Sequence, residues 1–157
     1  MEDEPMTDFQ YNDGGRQSAG YKGHTGDCVV RAIAIAADLP YQQVYDELFR
    51  RNREFAETSR SRAAKRVARK GATPRNGNFY QSYHPYLLEL GFKWVPTMFV
   101  GQGCTHHVNA DELPSGRLVL RLSRHLSAFI DGVVNDTYDC SRDGTRCVYG
   151  YYILESA

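Results

Sequence analysis

"HLSAFIDGVVNDTYD", residues 125–139, decides how the second half of this chain folds. Asp131-Gly132 lies between two apolar runs. Such a pair is the strongest short-range hairpin signal, because a two-residue type I′ turn needs positive φ at both central positions. With that turn, Ile130 opposes Val133, Phe129 opposes Val134, Ala128 opposes Asn135 and Ser127 opposes Asp136. Side chains alternate along a strand. His125, Ser127 and Phe129 therefore share a face with Val134, Asp136 and Tyr138, and Asp136 lies diagonally beside His125. Asn135 points to the other face, and a register slip of one residue would exchange it with Asp136.

Working outward, "RLVLRL" (117–122) and "CVYGYYIL" (147–154) read as further strands. "FKWVPTMFV" (92–100) reads as an extended segment held at an edge by Pro96. Residues 101–116 form a long loop. The first half has helical punctuation instead. Cys28 to Ala37 is an apolar helix ended by Asp38-Leu39-Pro40, with Thr25 or Asp27 as its cap. Pro40 opens a second helix in which Tyr41, Val44, Tyr45, Leu48 and Phe55 recur near helical spacing. "SRAAKRVARK" (61–70) is a basic helix or a continuation of the second, and "GATPRNGN" (71–78) breaks it. "FYQSYHPYLLELG" (79–91) is a third helix, stopped at Gly91 and either kinked or begun at His84-Pro85. Helices first and an antiparallel sheet afterwards predict an α+β domain over residues 21–157, preceded by a flexible acidic arm, residues 1–20.

A chain of 157 residues suits one domain and needs no disulfide scaffold. Four cysteines are too sparse for a disulfide-dense secreted module. "MEDEPMTDFQ" has neither the basic start nor the apolar run of a signal peptide, and no window approaches the roughly 18 apolar residues of a membrane span. A cytoplasmic protein with reduced thiols, away from membranes, is expected. Cys104, His106 and His107 with Cys140 and Cys147 match no familiar zinc spacing, and no metal or cofactor site is assigned. Cys140 and Cys147 flank "SRDGTR" and face each other if that segment is a hairpin loop, so oxidation could join them. Charge is zero overall but uneven: Arg50 to Arg75 carries +8 and the remainder −8. Arg62, Lys65, Arg66 and Arg69 are the candidate contacts for a polyanion, against the plainer alternative of a solvated helix.

"YKGHTGDCVVRAIAIA" (21–36) places Cys28 where a glycine-broken loop enters a helix. A helix N-terminus favours the thiolate, and the Cys28 N–H can face a developing oxyanion. A nucleophilic cysteine needs a base that is itself oriented. His125 and Asp136 answer that need, whereas a buried core cysteine would not require them.

"KGHTGDC" resembles the loop before the nucleophile of papain-like cysteine peptidases, with Gly23, Gly26 and Cys28 at matching spacing. The order of helix-borne Cys, strand-start His and Asp or Asn on the next strand is also similar. "GDCVVRAIA" resembles more weakly the signature of OTU-type deubiquitinases, with Arg31 and Ala32 matching and Thr25 where that family has Asp. The phrases "GDCVVRAIAIA" and "DGVVNDT" are similar to those of a group of small uncharacterised bacterial and phage proteins. The papain-like resemblance implies helices carrying Cys28, a sheet carrying His125 and Asp136, and hydrolysis of a peptide, isopeptide or other amide bond in a protein or peptide substrate. Specificity is expected in cleft loops, here 71–82 and 101–116. Lys22 stands at the oxyanion-glutamine position, so Lys22, Gln17 or a backbone group is the expected donor. The rival expectation is a non-catalytic, basic-faced adaptor for nucleic acid or an acidic protein.

Overall fold

The structure is a computed structural model and describes residues 8–23 and 26–154. Thr25, one of the two expected caps, lies outside them. Helix α1 spans Cys28–Ala37, the bounds its sequence predicts. Its C-terminus turns on Asp38, at φ 55°, whose N–H returns to the carbonyls of Ala34 and Ile35. Arg117 reaches across to donate to the same end, 2.7 Å to the carbonyl oxygens of both Ile35 and Ala36. A cation there complements the helix dipole and ties α1 to the sheet.

Helix α2 is Tyr41–Thr58 and follows Pro40. Ser59 is extended, and Ser61 then accepts the Ala64 N–H at 3.1 Å. This new cap makes the basic stretch a separate helix, α3, Arg62–Lys70. A short 3₁₀ turn over Pro74–Asn76 leads to α4, Tyr80–Glu89, which runs through Pro85.

Six strands form one sheet: β1 Asp8–Tyr11, β2 Phe92–Pro96, β3 Arg117–Leu122, β4 His125–Ile130, β5 Val133–Asp136 and β6 Gly150–Leu154, in the order β1-β5-β4-β3-β6-β2. The β4–β5 hairpin has the expected register, Ile130 with Val133 through Ala128 with Asn135. Asp131 and Gly132 take φ of 48° and 83°, as a type I′ turn requires.

Two expectations about the sheet need correction. The sheet is mixed, because β1 pairs parallel to β5 while every other pair is antiparallel. The supposed flexible arm therefore contributes an edge strand. Without it, β5 would present a row of unpaired backbone groups to water. All four β1 residues are exposed, so no buried face marks the strand in the sequence.

The sheet has a core on each face. On one side α1, α2 and α4 pack with Val119, Leu126, Ala128 and Tyr152. On the other, Leu118, Leu120, Leu122, Phe129 and Val134 pack under the loops carrying Val108, Leu113, Cys140 and Val148. Gly150 is required where Trp94 crosses β6, since a Cβ at residue 150 would lie 2.1 Å from the indole ring. The loops on the second face are fastened by a Cys104–Cys147 disulfide. This corrects the expected reduced state, and the partner of Cys147 is Cys104 rather than the Cys140 that oxidation could have joined to it. Cys140 is free and buried, its sulfur near the donor atoms of His125 and Asp136. No helix among the described residues is long and apolar enough to cross a membrane.

Candidate active site

Hairpin parity places His125, Ser127 and Asp136 together at one end of the sheet. Asp136 Oδ2 lies 2.7 Å from His125 Nε2 and accepts the Ser127 hydroxyl at 2.7 Å. Asp136 Oδ1 accepts the Thr137 N–H at 2.7 Å, with Arg31 Nη2 3.7 Å away. The aspartate and the histidine are 3% and 8% exposed. Tyr138 shields the histidine, its ring centre 5.4 Å from the imidazole. Asn135 turns to the opposite face, where its Oδ1 accepts from Asn12 Nδ2 at 3.3 Å.

Cys28 begins α1, beside the start of β4 and on the same cleft as His125. Burial by itself pushes its thiol pKa up. Hydrogen bonding and charge from His125, the Leu126 backbone and the charge of Arg31 outweigh that and bring it below 9.0. His125 moves the opposite way. Burial disfavours its charge, but hydrogen bonds to Asp136, Cys140 and Cys28 and the charge of Cys28 raise its pKa well above 6.5. Asp136 is also opposed by burial, yet its bonds to His125, Ser127 and Thr137 hold it below 3.8. All three shifts favour the charged form of the group: thiolate, imidazolium and carboxylate.

Asp27 is the N-cap residue of α1, but its side chain caps no N–H. It is fully buried, pairs ionically with Arg31 and with Arg16 Nε at 2.9 Å, and accepts the Tyr41 hydroxyl at 2.5 Å. Arg31 thus stands between Asp27 and Asp136, joining the nucleophile's helix to the histidine's partner. The facing wall is residues 71–79. Buried Asn52 holds it from α2 by donating to the Ala72 carbonyl at 3.1 Å and Asn78 Oδ1 at 3.0 Å. Tyr45 holds it through Thr73 at 2.6 Å, and Gly26 N–H donates to the Arg75 carbonyl at 3.1 Å.

The resulting cleft encloses about 500 Å³ between Cys28, Asn78, Tyr83, Arg121, His125 and Tyr149. Lys22 and Gln17 are exposed, and neither is among the described residues lining it. The Lys22 carbonyl instead accepts from Arg16 and Arg75. Arg62, Lys65, Arg66 and Arg69 lie together on the outer face of α3, opposite buried Ala64 and Val67, and none is in an ion pair among the described residues.

His125, Asp136 and Cys140 are the one cluster of metal-ligand types among the described residues, their donor atoms within 4.8 Å of one another. The 2.7 Å His125–Asp136 bond already closes the gap an ion would occupy. Cys104 and Cys147 lie beside His107 but are bonded to each other, and Cys140 instead clusters with His125 and Asp136, so the five residues do not form one group. Cys140, Asp27 and Asn52 were not singled out for the site by the sequence. Their roles depend on partners distant along the chain, and only the Asp27–Arg31 pair has a local, i,i+4 spacing that could have signalled it. Comparison with known proteins finds no matching family model, no matching curated protein and no matching solved structure.

Proposed function

We propose that this protein is a papain-like cysteine hydrolase acting on a peptide, isopeptide or other amide bond. The observation that carries the reading is Asp136 bonded to His125 at 2.7 Å, on a cleft where the Cys28 thiol pKa is lowered by that same histidine. A thiolate beside an oriented imidazolium is the activated nucleophile that acyl transfer needs. Cys28 Sγ adds to the carbonyl carbon, and the carbonyl electron pair moves onto oxygen. The Cys28 N–H at the head of α1 and the Asn78 amide, on the same cleft, are the donors for that oxyanion. His125 gives its proton to the departing amine as the C–N bond breaks. Neutral His125 then takes a proton from water, hydroxide attacks the thioester, and the acid leaves with thiolate and imidazolium restored.

Mild iodoacetamide labelling with mass mapping tests this reading. Cys28 is expected to be alkylated before buried Cys140, with Cys104 and Cys147 unreactive until reduced. Failure to label Cys28 in the folded protein would overturn it. The exposed stripe of Arg62, Lys65, Arg66 and Arg69 supports a second activity, docking of an anionic partner at α3.

A further inference from the structure

A second depression of about 440 Å³ adjoins the cleft, and Arg121 and Tyr149 line both. Its walls are Trp94, Pro96 and the loop Met98-Phe99-Val100. These three loop residues are 40%, 54% and 104% exposed, an unusual run of bulky apolar surface to leave in water. The loop cannot fold away freely, because the Cys104–Cys147 disulfide fastens its far end and Thr97 is bound on both sides, N–H to the Tyr149 carbonyl and hydroxyl to the Val148 carbonyl.

Arg121 stands at the junction. Its guanidinium lies 5.3 Å from the Tyr80 ring centre and is in no ion pair among the described residues. Arg124 also lines the cleft and is likewise without an ion pair there. A fixed cation between a reactive thiol and an apolar trough matches a ligand with a carboxylate next to a large apolar group.

We propose that the substrate is an extended polypeptide with an acidic side chain placed on Arg121 and a bulky apolar side chain seated among Trp94, Met98, Phe99 and Tyr149. This rests on Cys28 being the nucleophile, since the cleft places the scissile bond, and Arg121 and the trough then act as specificity determinants. Trp94 is the chain's one tryptophan, so its fluorescence reports occupancy of the trough directly.

The test titrates Cys28→Ala protein with capped octapeptides carrying one Glu and one Phe at every relative spacing. At the best spacing, Trp94 emission should change saturably. Replacing Glu by Gln, or Phe by Ala, should weaken binding about tenfold. Arg121→Gln should erase the Glu-over-Gln preference, and Arg121→Lys should restore part of it. Equal affinities for the Glu and Gln forms, or no emission change at any spacing, overturn the proposal. If Cys28 alkylates selectively while no peptide binds, the substrate class is wrong and the hydrolase stands. If the peptides bind with this preference but Cys28 is inert, the hydrolase falls and a peptide-binding site remains.

Discussion

Replacing Asp136 with alanine should slow the alkylation of Cys28 at neutral pH, whereas replacing its neighbour Asn135 should barely change it. Asp136 is bonded to His125 Nε2 and also accepts from Ser127 and Thr137, all at 2.7 Å. A hydrogen bond to a charged group contributes about 1.5–3 kcal/mol, and one pKa unit corresponds to about 1.4 kcal/mol. Loss of the carboxylate should therefore lower the His125 pKa by about one to two units. The imidazolium in turn holds the Cys28 pKa below its ordinary value, so weakening it should raise the thiol's midpoint. Below that midpoint the thiolate fraction falls about tenfold per unit, and with it the alkylation rate at pH 7. The assay is the iodoacetamide rate at Cys28 from pH 5 to 10 in wild type, Asp136→Ala, Asp136→Asn and Asn135→Ala. Asp136→Asn keeps an acceptor for Ser127 and serves if the alanine variant, with its buried partners orphaned, unfolds. A larger shift for Asn135→Ala would refute the hairpin-face reasoning. No shift in any variant, with His125→Ala also silent, would show that the histidine does not act on Cys28.

Reducing the Cys104–Cys147 disulfide should destabilise the fold by about 4 kcal/mol on the loop-entropy estimate for a separation of 43, read as a fall in melting temperature with reductant and absent in Cys104→Ser. An unchanged melting temperature would mean that the strap contributes nothing. Binding of duplex DNA or heparin at α3 should weaken with salt, with a log–log slope approaching about −3.6 for DNA if all four cations engage phosphates. Changing Arg62, Lys65, Arg66 and Arg69 to Gln should abolish it, and absence of binding at low salt would end the docking reading. Gly150→Ala should displace the Trp94 ring, cost about 1–3 kcal/mol and shift tryptophan emission, because the added Cβ meets that ring at 2.1 Å. Unchanged emission would mean that the ring does not lie over Gly150.

How much could be read in advance depended on how local each determinant is. The Asp131-Gly132 turn sets its own register through backbone sterics, so the faces of His125, Asp136 and Asn135 follow from the sequence by parity. Helix α1 was equally legible, with an apolar face between a glycine-broken loop and Asp38-Leu39-Pro40. The disulfide was not. Cys140 is close to Cys147 in sequence, but the chain between them leaves Cys140 buried, while Cys147 pairs as an isolated bridge with His107 and so meets the loop of Cys104. Strand β1 carries four exposed residues, and its only determinant is the open edge of β5, 125 positions further along the chain.

Asp27 shows why a site can be visible while its support is hidden. Read locally, an acid before an apolar helix is a cap, worth about 1 kcal/mol. In the fold it is a buried anion among Arg16, Arg31 and Tyr41, and two of those partners lie outside its own helix. Burying such a charge is costly unless it is paired, so removing one member strands the others. The same Arg31 that pairs Asp27 stands 3.7 Å from Asp136 and lowers the Cys28 pKa. Asp27→Asn should therefore do more than loosen α1. With Asp27 neutral, Arg31 is freed toward Asp136 and competes with His125 for the carboxylate. The expected signature is a shift of the Cys28 alkylation midpoint, transmitted through Arg31. A loss of stability with no shift in that midpoint would make Asp27 a brace for the helix alone, uncoupled from the chemistry.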